Sequence, residues 1–165
     1  MSKVYGLFYT RTGNVLCGYG GKVGGHNRVG AQLPGGSATG KKDAQEITIH
    51  KIRKTLLDEL DEEFGVNARK LLEAEIDLRN PEPYSKILDG HNVYIVFCEI
   101  SNDTAAACCG FVTDAKKRRT FYDEPFTRVA AVNIQTAYEK EIDAGNTWFK
   151  EAVLALAASH FNGVC

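Results

Sequence analysis

The stretch Asp58-Glu59-Leu60-Asp61-Glu62-Glu63-Phe64-Gly65 places five carboxylates in six positions and then stops on a glycine. Ile49, Ile52 and Leu56 upstream of it lead on to Leu60 and Phe64 within it at three- and four-residue steps. That spacing predicts an amphipathic helix ending at Gly65, with Asp43-Ala44-Gln45-Glu46 in the form of a capping box at its start. The acids sit at the wrong end for a plain helix, because the last turn carries partial negative charge and prefers Lys or Arg. Glu59, Glu62 and Glu63 stand at i, i+3 and i+4, so their side chains project from one patch while Leu56, Leu60 and Phe64 turn inward. Three convergent carboxylates suit a hard divalent ion such as Mg2+ or Mn2+. The plainer alternative is a solvated acidic face balanced by Lys51, Lys54 or Arg69, and charge pattern alone does not separate the two.

On the N-terminal side of this helix eleven of the 16 glycines fall within the first forty residues, which predicts strands and turns. Lys3 to Tyr9 alternates and is rich in β-formers. Arg11-Thr12-Gly13-Asn14 supplies a turn, and Val15 to Tyr19 returns as a hairpin partner. The glycine-rich loop Gly18 to Gly30 matches no P-loop or dinucleotide-binding spacing and reads as a mobile surface loop. Gln32-Leu33-Pro34-Gly35-Gly36 makes a sharp break before the helix.

On the C-terminal side Val66 to Leu72 reads as a short turn and Asn80-Pro81-Glu82-Pro83 as a loop. Val93 to Ile100 is almost continuously apolar, as in a buried strand. Ala105 to Val112 takes no clear assignment. Phe126 to Ile134 reads as a strand, and Gln135 to Ala144 and Thr147 to Ser159 as helices, the second turning Trp148, Val153, Leu154 and Ala157 inward. Strands interleaved with a few helices predict an α/β fold with a mixed sheet covered by helices.

The length of 165 residues and mass of 18.1 kDa suit one domain spanning 1–165. Net charge is −1 and the pI about 6.4, which disfavours strong nucleic-acid binding through counterion release. Apolar runs are too short for a membrane span, and the N-terminus lacks a secretory leader, so the expected location is cytoplasmic. The five cysteines, Cys17, Cys98, Cys108, Cys109 and Cys165, form no C-x-x-C pair or zinc spacing and read as reduced thiols, Cys17 and Cys98 in the core. His26, His50, His91 and His160 share no spacing for a metal or a nucleophilic triad. The basic run Lys116-Lys117-Arg118-Arg119 beside Phe121 and Tyr122 offers phosphate contacts or base stacking, a solvated loop being the simpler reading.

The helix end resembles the Nudix hydrolase family, whose signature is G-x5-E-x7-R-E-U-x-E-E-x-G-U with U a bulky aliphatic residue. Glu59-Leu60-Asp61-Glu62-Glu63-Phe64-Gly65-Val66 reads E-U-x-E-E-x-G-U, and Leu33-Pro34-Gly35-Gly36 resembles the approach to that box. Its first half departs: 21 residues separate Gly36 from Asp58 where the signature has 13, Asp58 stands where it has arginine, and His50 where it has its first glutamate. Arg53 or Lys54 are substitutes for that arginine. The resemblance implies a Nudix-type α/β/α sandwich with a mixed sheet, and hydrolysis of a phosphoanhydride in a nucleoside diphosphate linked to another moiety. It also implies Mg2+ or Mn2+ held by Glu59, Glu62, Glu63 and Gly36, with Glu59 and Glu62 catalytic. Glu59 or a later carboxylate, among Glu99, Asp103, Asp123 and Glu124, would be the general base. The partner implied is a small nucleoside diphosphate derivative, and a homodimer fits the family without being required. The departures keep open a non-catalytic nucleotide-binding or interaction module on the same fold.

Overall fold

The computed structural model describes residues 2–38, 47–88, 90–111, 125–143, 152 and 156. Asp43 to Glu46, the basic run with Phe121 and Tyr122, Asp123, Glu124, Trp148, Val153, Leu154, Ala157, His160 and Cys165 lie outside them.

The alternating segment at the N-terminus forms strand β1 (Ser2–Tyr9), and the turn at Gly13, where φ is 88°, returns the chain as β2 (Asn14–Tyr19). A two-residue hairpin follows, β3 (Lys22–Val23) with β4 (His26–Asn27), and then β5 (Gly35–Ser37). The long apolar run is β7 (His91–Glu99), preceded by β6 (Pro83–Leu88), and the last described strand is β8 (Arg128–Asn133). The sheet order is β6-β7-β1-β2-β8, with β5 also on β1. β1 runs parallel to β7 from Ser2 beside Asn92 to Tyr9 beside Glu99, while its other neighbours are antiparallel. The expected mixed α/β architecture is therefore present.

Where β2 parts from β1, the chain from Gln32 to Ser37 fills the gap. Gly18 and Gln32 exchange backbone hydrogen bonds at 2.8 and 3.0 Å, the Gly6 N–H donates to the Pro34 carbonyl at 2.9 Å, and Lys3 to Tyr5 pair with Ser37 to Gly35. This wedge carries Gly35 and Gly36 into the sheet. A methyl group on Gly35 would lie 2.2 Å from the Val4 carbonyl oxygen, so only glycine fits there.

Helix α1 (Ile49–Glu63) begins where the Thr48 hydroxyl accepts the Lys51 N–H at 3.1 Å, five residues after Asp43, the cap expected from sequence. Ile52, Leu56 and Leu60 are buried, as is Phe64 just beyond, whereas Ile49 is 66% exposed and stands at the rim of a small cleft with Pro81 and Pro83. Gly65, at φ 99°, turns the chain directly into α2 (Val66–Arg79). The short turn expected at Val66 to Leu72 is thus a 14-residue helix. It extends because Ala68, Leu72 and Ile76 recur at four-residue steps on its buried side and Arg69–Glu73 and Arg79–Glu75 add i, i+4 ion pairs. The unassigned stretch is α3 (Asn102–Gly110), capped by the Ser101 hydroxyl on the Thr104 N–H at 3.0 Å. The helix expected after β8 is α4 (Ile134–Asp143).

Alternate strand residues feed two apolar clusters on opposite faces of the sheet. Val4, Phe8, Leu16, Tyr94, Val96 and Cys98 pack with α1, α2 and α3; Leu7, Val15, Cys17, Val93 and Ile95 pack with Ala137 of α4 and with Ala152 and Leu156. Cys17, Cys98 and Cys108 are buried free thiols, and burial pushes the last two up to about 12. Among the described residues no helix is long and apolar enough to cross a membrane.

Candidate functional site

The acidic end of α1 lies against the glycine wedge. A methyl group on Gly36 would sit 2.6 Å from Glu59 Oε1, so the missing side chain is what lets the main chain lie beside that carboxylate. One turn on, the Gly35 N–H donates to Glu63 Oε1 at 2.8 Å. A buried carboxylate is tolerated only where its charge is met by donors or cations. Glu63 is 8% exposed, and its second oxygen accepts from Arg28 Nη2 at 3.3 Å.

Arg28 arrives from the glycine-rich loop and is itself buried, its side chain 3% exposed. Its other terminal nitrogen donates to the Gly20 carbonyl at 2.9 Å, and the guanidinium lies 4.3 Å over the Phe126 ring. Phe126 packs in turn on Phe64 with ring centroids 5.7 Å apart, and its N–H donates to the Glu63 carbonyl at 3.3 Å. The cation that the helix end demanded is therefore in place, although not one of those near it in sequence. Of those, Lys54 pairs with Asp58 at 2.8 Å and Arg69 with Asp61 at 3.8 Å. Sequence spacing offered no pointer to Arg28, 35 residues before its partner; the signal available was that Lys22 and Arg28 carry the only fixed charges in the loop Gly18 to Gly30.

Tyr5, on β1 beside Gly35, is the other residue that sequence reading missed. Burial first, then the charges of Glu63 and Glu59, push its phenol up to about 12. At neutral pH it stays protonated and adds no negative charge to the site.

Glu59, Glu63 and the Gly35-Gly36 backbone are thus brought together, with Glu62 half-buried on the same last turn of α1. Among the described residues no group of three or more His, Cys, Asp or Glu side chains stands close enough to hold one ion. The chemistry of the donor set still suits a hard cation, since the Glu59 carboxylate oxygens face a cradle that any side chain at Gly36 would fill. Asp58, at the signature arginine's place, is exposed and balanced by Lys54, while Arg53 is engaged by Asp77 and by Glu73 on α2. Glu99 is held by Arg11 at 3.5 Å and Arg79 at 3.7 Å, beside Tyr9 in register. That is four residues along the sheet from Tyr5, about 13 Å at the rise of a strand. Asp103 stands in the first turn of α3, away from this end of α1, and His50 is exposed on α1.

No family model matches this chain, and no curated protein matches it. Among solved structures it aligns with the solution structure of the E. coli ORF135 protein, over 96% of this chain and 94% of that chain, at 14% identity and a TM-score of 0.37. A likeness at that level carries no functional argument.

Proposed function

We propose that this chain is a cytoplasmic, Mg2+- or Mn2+-dependent hydrolase of Nudix type, acting on a phosphoanhydride in a nucleoside diphosphate linked to another moiety. The observation that carries the reading is the contact between Gly36 and the Glu59 carboxylate, which joins the two halves of the sequence resemblance across 22 intervening residues. The two-sided packing of helices on a mixed sheet supports the corresponding α/β/α sandwich. Glu59, Glu62 and Glu63, with the Gly36 backbone, would hold the ion. When bound, the ion supplies charge neutralisation of the diphosphate and a lowered pKa for water. Glu59 accepts the proton of the attacking water as the new P–O bond forms and the anhydride P–O bond breaks. Glu63, held by the Gly35 N–H, keeps the helix end fixed against the wedge, and Tyr5 stays protonated at neutral pH.

A second reading, a non-catalytic nucleotide-binding module, is favoured by one observation: Asp58 replaces the signature arginine and pairs with Lys54 instead of bracing Glu59. The deciding experiment measures phosphate or monophosphate release from nucleoside triphosphates, nucleotide sugars, dinucleoside polyphosphates and NADH with Mg2+ or Mn2+. Turnover that Glu62→Gln abolishes establishes the hydrolase. Nucleotide binding without turnover, unchanged in Glu59→Gln, establishes the module.

A further inference from the structure

Three features around Arg28 need one explanation. It is a long cationic side chain buried almost completely, it reaches from a glycine-rich hairpin to the helix that carries the acids, and its partner is one of those acids. A buried arginine is usually explained by the charge it neutralises, and here that charge is Glu63. The hairpin itself is held lightly. β3 and β4 are two residues each, residues 24 to 27 are exposed, and the Arg28 N–H to Gly21 carbonyl bond at 3.1 Å closes its base. The Arg28 side chain joins this hairpin to α1.

We infer that Arg28 is a built-in counterion of the site, which competes with a divalent cation for Glu63 and couples metal binding to loss of the ion pair that joins the hairpin Gly20–Arg28 to α1. The inference rests on the metal-dependent reading above. In the present geometry Glu63 Oε1 faces the Gly35 N–H and Oε2 faces the guanidinium, so a divalent ion reaching Oε2 meets a positive charge 3.3 Å from that oxygen. Both side chains are shielded from water, so salt screens the repulsion little. A doubly charged ion coordinated by Glu63 and a guanidinium on the same oxygen are therefore alternatives. When the ion takes Glu63, the guanidinium keeps its bond to the Gly20 carbonyl and its face on Phe126, and the loop it anchors loses its ion pair to α1. The freed cation remains on the rim of the same site, where the chemistry on offer is that of a diphosphate oxygen.

The test is a Mn2+ titration of the full-length protein by thermal unfolding and calorimetry. Saturable stabilisation of the wild type is expected, and its absence overturns the metal reading and this inference together. Given that stabilisation, Arg28→Gln is expected to bind Mn2+ at least about five-fold more tightly, the lower end of ordinary coupling between sites, and Arg28→Lys, which keeps the charge, to stay near wild type. Equal or weaker binding by Arg28→Gln overturns the counterion role and leaves the metal site standing. A second measurement needs no destabilising variant. In the wild type titrated with Mg2+, the Arg28 Nε–H resonance, assigned by its disappearance in Arg28→Lys, is expected to shift and exchange faster with water in step with saturation. A resonance that stays unchanged at saturation overturns the inference.

Discussion

Gly35 and Gly36 are neighbours in the wedge, yet their missing side chains answer to different atoms. A methyl group on Gly35 would meet the Val4 carbonyl oxygen at 2.2 Å and Tyr5 Cα at 2.7 Å, main chain that cannot move without breaking the pairing of β1 with β5. Beside Gly36 stands the free end of the Glu59 side chain. Gly35→Ala is therefore expected to cost stability, on the order of 3 kcal/mol from overpacking. Gly36→Ala should leave stability within about 0.5 kcal/mol and lower turnover by about a hundred-fold, because a carboxylate displaced by an ångström is misplaced for chemistry. Denaturant unfolding and steady-state rates on the two variants check this, and equal destabilisation by both would sink it. The role of glycine at both positions was visible in the sequence as a sharp break. Which glycine served the sheet and which the carboxylate was not, because that depends on strands and helix ends distant along the chain.

Among the elements, α1 was the most legible, since its apolar stripe and glycine stop are local signals with a period of their own. Its start was less so: the Thr48 hydroxyl caps it on Lys51, and Asp43 to Glu46 fall outside the described residues. The helix after it was misread because the glycine stop hid how soon α2 begins, and because the buried residues Ala68, Leu72 and Ile76 make only a narrow stripe among charged neighbours. Gly65 is the joint. At φ 99° it closes α1 through its N–H on the Leu60 carbonyl at 3.1 Å, while its own carbonyl accepts from Arg69 to open α2. Gly65→Ala forces a side chain into that conformation at about 1–3 kcal/mol. Because the joint aims the last turn of α1 at the wedge, it should also lower turnover. Unfolding curves and rates measured together decide it; a variant as stable and as active as the wild type would show that the joint is not strained.

The whole molecule keeps several ionisable groups uncharged in its interior, and that sets its response to alkali. Tyr5 rises from 10.0 to about 12, and Cys98 and Cys108 from 9.0 to about 12, with burial the leading cause in each. A group whose folded pKa lies above its unfolded value contributes stability that is complete below the unfolded value and is lost as pH climbs through the folded one. Stability should thus hold up to about pH 9 and fall between there and pH 12, where the thiols and then Tyr5 must ionise to satisfy the unfolded chain. Tyr5→Phe is expected to remove its share, roughly 2 kcal/mol, from the loss between about pH 10 and 12. Urea unfolding across that range checks it, and an unchanged slope in Tyr5→Phe would show that Tyr5 does not titrate with folding.

At this same scale the buried run of β7, the hairpin of β1 and β2, and the strand–helix pair at β8 and α4 follow from apolar period and turn chemistry, which act over a few residues. The carboxylate turn of α1 is of that kind too, so the sequence by itself determined the mixed α/β class and which acids gather at one helix end. Only the tertiary structure decided what meets them. The insertion of residues 32–37 between β1 and β2, the choice of Arg28 over the nearer Lys51, Lys54 and Arg69, and the placing of Tyr5 beside Glu63 all depend on chain segments tens of residues apart. Local propensity carries no record of such distances. They are settled when the sheet closes and each buried charge must find its partner within it.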